Sequence, residues 1–211
     1  MLDWLVIGGG PHGVHAAARL VGEVGVSRDA IRILDDEEVL LARWRRCTRN
    51  TGMQYLRSPA VHHLDVSSSS LRRFSKSGKG NRFAQPFTRP YSRPLLEMFD
   101  RHSDGVVERN GLEDLHVRGR ANSLEILDDH VRVGVETRSE EEPSSPIEAK
   151  HVVLALGAPR EPMWPVWATR AAELSGDSTR KHVIRHVFDP GFELDDDPDD
   201  EVVAVVGFTF S

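Results

Sequence analysis

A short run of strand-forming residues that ends at three consecutive glycines constrains the fold of this chain more than any other feature. Residues 3–7 are mostly apolar and stop at Gly8, and an alanine-rich stretch with helical character follows Pro11. Pro11 suits the first turn of a helix, because no helical hydrogen bond needs its missing N–H there. A second apolar run, residues 31–34, ends at Asp35. This order of strand, glycine-rich turn, helix and strand predicts a βαβ unit with two parallel strands.

The glycines of the turn have the G-x-G-x-x-G spacing of a dinucleotide-binding loop. In such a loop Gly8 permits the tight turn, Gly10 lets a pyrophosphate approach the backbone, and Gly13 lets the helix and strand pack closely. The start of the helix then faces the phosphates with unpaired N–H groups. Asp35 lies 22 residues after Gly13, where a carboxylate accepts hydrogen bonds from ribose hydroxyls and disfavours a 2′-phosphate. The loop therefore favours FAD or NAD over NADP, and a glycine-rich turn without a ligand is the alternative.

The remainder of the chain predicts one more helix and three more strands. Apolar residues at 95, 96, 98 and 99 indicate a helix over residues 94–102, whereas the serine-rich residues 67–70 and 75–80 predict flexible loops. Strand patterns separated by polar turns follow at residues 124–127, 131–137 and 147–156. The predicted fold class is therefore α/β, a Rossmann-like domain with a parallel sheet, helices and an inserted antiparallel β-meander.

Composition excludes several classes of protein. With 39% hydrophobic and 28% charged residues, the 211-residue chain can bury a real core and is neither disordered nor fibrous. No apolar stretch approaches the roughly 18 residues of a membrane span, and the start of the chain does not resemble a signal peptide. A single cysteine, Cys47, excludes a disulfide framework. The net charge of −6 argues against nucleic acid or an anionic membrane as a partner, so we expect a cytoplasmic protein that acts on a small molecule.

Several motifs together resemble one known family. They are VIGGGPHGVHAAARL, the acid of IRILDD, ARW followed by GMQYLRSP, RPYSRPLLEMF, and VVLALGAPREPMWP. On these motifs the chain resembles the flavoproteins with two dinucleotide-binding domains, in particular the FAD-dependent N-hydroxylating monooxygenases of the lysine and ornithine type. The resemblance covers nearly the whole chain. It implies that FAD is the bound cofactor and that NAD(P)H reduces it.

The resemblance also implies roles for individual residues. The residues that it places in the FAD site are Gly8, Gly10, Pro11 and Gly13 at the pyrophosphate, Asp35 at the adenosine ribose, Trp44 and Gln54 near the flavin, Val117 at the adenine, and Gly157 where the site closes. Three of them have an ordinary structural alternative: Trp44 as a core aromatic, Gln54 as the cap of a turn, and Val117 as a strand residue. The substrate-binding lysine of the family is missing after Gln54, where only Arg57 follows, so the substrate stays open.

No sequence pattern predicts a metal site or a catalytic acid, base or nucleophile. The pair His62 and His63, and the pair His12 and His15, have no third ligand at a fitting spacing. Cys47 has no base partner nearby in the sequence, so a structural or surface thiol is the expectation.

The end of the chain predicts the start of a second domain. After an acidic run, the apolar residues 202–206 lead into Gly207, as in the first strand of a nucleotide-binding unit. We expect residues 1–194 to form the FAD-binding domain, and residues 195–211 to be an acidic linker and the first strand of an incomplete NAD(P)-binding domain. The chain therefore looks truncated, and the lone strand would allow a homo-oligomer by pairing with a second chain.

The function predicted from these observations is the FAD-binding part of a flavin-dependent oxidoreductase or monooxygenase. Two alternatives stay open: a non-catalytic dinucleotide-binding module, and a stand-alone NAD-dependent dehydrogenase. The inserted meander favours an FAD-binding domain over the NAD-dependent dehydrogenase.

Overall fold

A computed structural model of the chain describes residues 1–80, 82–136, 145–157, 163–174, 186–189 and 192. The chain divides into two units, Met1–Pro162 and Met163–Ser211. The domain boundary predicted after residue 194 and the strand predicted at residues 202–206 lie outside the described residues. Both stay predictions.

The first unit is built around a six-stranded sheet. The strands are, in chain order, β1 (Leu2–Ile7), β2 (Ile31–Asp35), β3 (Phe87–Thr88), β4 (Arg93–Pro94), β5 (His116–Arg118), β6 (Arg120–Ile126), β7 (Val131–Glu136) and β8 (Ile147–Leu154). Six of them form one sheet in the order β5-β2-β1-β8-β7-β6, and β3 pairs with β4 in a separate hairpin. Strands β5, β2, β1 and β8 are parallel, while β6, β7 and β8 form an antiparallel meander. The predicted α/β class, with a mainly parallel sheet and a meander, is confirmed.

Helices connect and cover the strands of the first unit. They are α1 (Pro11–Arg19), α2 (Ala42–Asn50), α3 (Ser70–Lys76) and α4 (Leu96–Asn110), and the second unit contains α5 (Val166–Leu174). α1 continues into a π-helical turn and stops at Gly25, whose φ of +75° suits a glycine. Among the described residues, no helix has both the length and the apolar character needed to cross a membrane.

The two faces of the sheet bury separate apolar clusters. Successive side chains of a strand point to opposite faces, so Val6 and Leu5 of β1 belong to different clusters. The cluster around Val6 includes the buried faces of α1 and α4. The cluster around Leu5 joins β1 and β2 to Val133 and Val135 of β7. Each such fully buried side chain contributes about 1.5–3 kcal/mol to folding.

The predicted helix over residues 94–102 ends too early. The observed helix α4 continues to Asn110. Its buried face contains His102 and Ser103 between the apolar residues Phe99 and Val106. These buried polar residues interrupt the apolar periodicity, so the sequence pattern predicts an end to the helix that is too early.

The helices α2 and α3 were missed within residues 37–93. α2 has the sequence ARWRRCTRN, which shows no apolar stripe. The predicted loops at residues 67–70 and 75–80 are wrong in part, because Ser70, Ser75 and Lys76 belong to α3. α3 forms because Leu71 is fully buried in the core, a tertiary contact that outweighs the weak helix propensity of serine.

Candidate functional site

The turn after β1 holds glycines where larger residues are excluded. Gly8 has a φ of +111°, and a Cβ there would collide with the carbonyl oxygen of Ala155, just beyond β8. A Cβ on Gly13 would collide with the carbonyl oxygen of Gly8. A Cβ on Gly10, in contrast, would meet no atom within 4 Å. Close backbone packing therefore requires Gly8 and Gly13, whereas the space in front of Gly10 is open.

Asp35, at the end of β2, holds this turn in place. Its Oδ2 accepts the N–H of Gly9 at 2.6 Å, and its Oδ1 accepts the N–H of Glu37 at 2.9 Å. A carboxylate oxygen can accept two hydrogen bonds, so each one retains capacity for a further donor such as a ribose hydroxyl. Asp35 thus shapes the loop itself, a role the sequence did not indicate. Its predicted contact with a ribose stays a prediction.

The first turn of α1 supplies unpaired N–H groups beside the open space at Gly10. α1 begins at Pro11, directly after Gly10, and no side chain caps it. The first N–H groups of a helix have no intrahelical partner and carry partial positive charge, which favours a phosphate. Because no side chain fills the space at Gly10, a pyrophosphate fits against this backbone. The loop therefore fits the diphosphate of FAD or NAD.

Val117 and Gly157 lie at the same edge of the sheet as the glycine loop. Val117 on β5 is in register with Leu34, next to Asp35. Gly157 follows shortly after Ala155, whose N–H donates to the carbonyl of Ile7 at 2.8 Å. The carboxyl ends of parallel strands in such a fold are where nucleotides bind. The sheet thus brings the residues predicted for the pyrophosphate, ribose and adenine to one edge, and their ligand contacts stay predictions.

Helix α2 is joined to the glycine loop at Leu41. The N–H of Leu41 donates to the carbonyl of Gly9 at 2.8 Å, and Leu40 packs against the same glycine. Leu41 has a φ of +66°, a left-handed conformation that is uncommon for residues other than glycine. No sequence signal marks this junction, because leucine is not a residue expected there. α2 therefore begins beside the glycine loop and leads away from it.

The far end of α2 borders an open cavity of about 530 Å³, which is lined by α2, residues 52–55 and the start of α4. Gln54 is exposed and lines this cavity. Its main-chain carbonyl accepts the N–H of Leu96 at 2.8 Å. Arg49 also lines the cavity. The cavity combines cationic, amide and apolar groups, as small-molecule sites do.

Trp44 does not line this cavity but contacts Asp100, which does. Its ring packs against Phe99 with centroids 5.9 Å apart, and its indole N–H donates to Asp100 Oδ1 at 3.2 Å. Trp44 is therefore part of the packing between α2 and α4. Its predicted place near a flavin stays a prediction.

Asp100 is a half-buried carboxyl that lines the cavity. Burial raises its pKa above the ordinary value, and the hydrogen bond from Trp44 and the charge of Arg45 oppose only part of this shift. A carboxyl with a raised pKa beside a polar cavity is a candidate for binding or proton transfer. No sequence pattern indicates this carboxyl, because Trp44 and Asp100 are 56 residues apart.

Histidine side chains form hydrogen bonds with the main chain of the loop of residues 62–70. His15 Nδ1 lies 3.0 Å from the carbonyl of Leu64, and His63 Nε2 lies 3.1 Å from the carbonyl of Ser68. Within the described parts of the chain, no group of three or more His, Cys, Asp or Glu residues is placed to hold a metal ion. The histidine pairs that stand out in the sequence thus include two residues with a structural use.

A buried histidine of α4 completes this network. His102 is 1% exposed, and its Nε2 lies 2.9 Å from Ser70 Oγ. The Ser70 hydroxyl donates its only proton to Asp65, so it accepts the Nε2–H of His102. The Nδ1 of His102 then carries no proton and has no hydrogen-bond partner among the described residues. Burial and the neighbouring ring of His63 lower the pKa of His102 to about 4.

Solved structures resemble this arrangement of elements. A cyclohexanone monooxygenase variant from Rhodococcus sp. Phi1, bound to NADP+, is 18% identical; the match covers 78% of this chain and 28% of that chain, with a TM-score of 0.52. A polycyclic ketone monooxygenase from Thermothelomyces thermophila is 20% identical over 74% of this chain and 23% of that chain, with a TM-score of 0.46. A bacillithiol disulfide reductase from Bacillus cereus is 18% identical over 72% of this chain and 39% of that chain, with a TM-score of 0.45. No protein-family model and no curated protein sequence matches the chain.

The likeness to the cyclohexanone monooxygenase shows the fold. The chain has the Rossmann-like α/β fold of FAD-binding domains. It spans between 23% and 39% of the length of these three structures. At such low identity the likeness defines architecture and not activity, so the N-hydroxylating branch rests on the sequence motifs alone.

Proposed function

We propose that the chain is the FAD-binding part of a flavin-dependent oxidoreductase. The observation that carries the proposal is the glycine loop: Gly8 and Gly13 are sterically obligatory, while the space in front of Gly10 is open beside the start of α1. Asp35 stands at the end of the adjoining strand with acceptor capacity to spare. Together these features suit a diphosphate that is followed by an adenosine ribose.

Within this class we propose a monooxygenase of the N-hydroxylating type that uses NAD(P)H. The motif GMQYLRSP supports this finer proposal, because its residues Met53, Gln54 and Tyr55 line the cavity between α2 and α4. The fold neighbours include two monooxygenases, one of them in a structure with NADP+. Bound FAD would supply hydride acceptance and oxygen activation.

The residues of this chain would bind, orient and hold protons. The loop at Gly10 would hold the diphosphate, and Asp35 the ribose. The cavity would admit a small-molecule substrate, with Arg49 and Gln54 as polar contacts. Because burial raises the pKa of Asp100, this carboxyl keeps its proton to a higher pH than a free aspartic acid, and in either protonation state it would offer the substrate a hydrogen-bonding group.

A non-catalytic dinucleotide-binding module is the second candidate. It is favoured by the fact that the glycine loop is complete without any contribution from the cavity. In this case adenine nucleotides would bind, while the residues around the cavity would have no effect on flavin chemistry.

Flavin loading tests the proposal. The purified protein is incubated with FAD, freed of excess ligand by gel filtration, and examined by absorption spectroscopy. Flavin bands that stay with the protein are expected, together with calorimetric binding of FAD and ADP. A colourless protein that binds ADP but not FAD would favour the module, and binding of neither would overturn both readings. Anaerobic mixing of loaded protein with NADPH or NADH then tests reduction, because rapid saturable bleaching requires a nicotinamide site.

A further inference from the structure

The charges of the chain are distributed unevenly. The whole chain has a net charge of −6, yet residues 66–96 contain seven Lys and Arg and no Asp or Glu. We call this stretch the basic segment. Its cations are Arg72, Arg73, Lys76, Lys79, Arg82, Arg89 and Arg93. The segment comprises α3, the β3–β4 hairpin and the loop between them.

The cations of the basic segment have no carboxylate partner within the described residues. All are exposed except Arg93, which is half-buried. Arg73 donates to the hydroxyls of Ser67 and Ser69, while Arg72 and Arg82 lie over the rings of Phe87 and Phe83. Elsewhere the typical cation is ion-paired; examples are Arg19, Arg28, Arg45, Arg46, Arg101, Arg109, Arg118, Arg132 and Lys150. Unpaired like charges repel one another, so an anionic partner would stabilise this surface.

The basic segment adjoins the cavity between α2 and α4. The Tyr55 hydroxyl donates to the main-chain carbonyl of Gln85 at 3.1 Å. The N–H of Leu56 donates to the carbonyl of Pro94 at 2.9 Å. Tyr55 lines the cavity. A partner bound to the basic segment would therefore stand next to the mouth of the proposed substrate site.

The composition of the surface separates the classes of anionic partner. Single-stranded nucleic acids are bound through several exposed aromatic rings, but Tyr91 is the one strongly exposed aromatic ring among the described residues of the segment. Peripheral membrane proteins insert large apolar side chains, and besides Tyr91 the described part of the segment exposes only Val66 of that kind. Guanidinium groups match both carboxylates and phosphates in bidentate geometry, and the exposed side chains of the segment disfavour the two phosphate-bearing partners. We propose that the basic segment docks a carboxylate-rich polypeptide, the acidic face of a partner protein, beside the cavity.

Binding of fluorescein-labelled poly-L-glutamate tests the proposal without any need for bound flavin, so its failure is separable from failure of the proposed function. Fluorescence anisotropy is followed at rising NaCl concentration. We expect saturable binding that weakens steeply with salt, because exposed charges are screened within a Debye length. The variant Lys76→Gln/Lys79→Gln/Arg89→Gln should bind about tenfold more weakly, since rim charges govern association and salt dependence.

A matched control changes the same net charge elsewhere. The triple variant Arg19→Gln/Arg101→Gln/Lys150→Gln removes three exposed cations outside the segment. It should bind poly-L-glutamate within about twofold of the parent, because it leaves the segment intact. Equal losses in both variants would overturn the proposal, as would no binding by the parent. Tighter binding of a single-stranded DNA oligomer of equal charge, or of vesicles rich in phosphatidylserine, would also overturn it in favour of those partners.

Discussion

At the scale of single residues, the three glycines of the turn have different reasons to be glycine, and substitution can separate them. Gly10 has room for a side chain, so Gly10→Val should fold with a free energy of unfolding within about 0.5 kcal/mol of the parent. The valine would occupy the space that the pyrophosphate needs, so calorimetry should detect no ADP or FAD binding. A folded Gly10→Val variant with unchanged affinity would show that the loop does not bind the diphosphate.

Gly13→Ala is the matched contrast. Its Cβ would collide with the carbonyl oxygen of Gly8, so the helix must shift away from the strand. We expect a loss of about 1–3 kcal/mol in the free energy of unfolding, as for overpacked sites, measured by urea denaturation. Full stability in this variant would contradict the described packing of α1 on the turn.

Asp35 should act on both loop stability and ligand binding. In Asp35→Ala the N–H groups of Gly9 and Glu37 lose their acceptor, so unfolding should become easier by about 1–3 kcal/mol. FAD affinity should fall by about 1.5–3 kcal/mol. FMN has no adenosine ribose, so its smaller loss measures the damage to the loop alone. Equal losses for FAD and FMN in calorimetry would exclude the ribose contact.

At the scale of elements, the contact between α3 and α4 should make stability depend on pH. The pKa of His102 is about 4 in the folded chain and about 6.5 for a free histidine. Between these values the unfolded chain binds the additional proton, so the free energy of unfolding falls as the pH falls from about 6.5 to 4, by about 3 kcal/mol in total. Burial also lowers the pKa of His63, which adds in the same direction. Urea denaturation at several pH values measures this slope.

Two variants identify the residue responsible. His102→Gln keeps an N–H donor for Ser70 but does not titrate, so the slope should become markedly smaller. His62→Gln changes an exposed neighbour in the same loop and should leave the slope as it was. A slope that survives His102→Gln would assign the effect to His63 or to carboxylates such as Asp65.

Features of the fold were predictable from the sequence where their signal was local. The glycine loop and Asp35 were found because their spacing along the chain is fixed by one βαβ unit. α2 and α3 were missed because tertiary packing, not periodicity, makes them helical. The cavity was missed because the helices that line it, α2 and α4, come from distant parts of the chain. The raised pKa of Asp100 follows from burial at this place. The family resemblance places Trp44 and Gln54 near the flavin. In the structure both residues lie at or beside this cavity, which the resemblance did not predict.

At the scale of the whole molecule, we expect the outer strand of the meander to favour self-association. β6 is the last strand of the sheet, and its Ile126 is 79% exposed beside the similarly apolar Leu124. An apolar edge strand favours pairing between chains. We expect association that grows with protein concentration in analytical ultracentrifugation and weakens in Ile126→Lys. Val24→Lys, which alters an exposed apolar residue of the π-helical turn after α1, should leave the association unchanged.

The pairing of β1 with β8 has a consequence for biosynthesis. Gly8 packs against Ala155, and the ribosome synthesises these two residues far apart in time. At about 5–20 residues per second, Ala155 is made roughly 7 to 30 seconds after the glycine turn. Until then β1 can pair with β2 but presents its other edge to the surroundings. The nascent chain therefore passes through an interval in which its first strand is open to chaperones and to other nascent chains. The proposed nucleotide site is complete only after that interval ends.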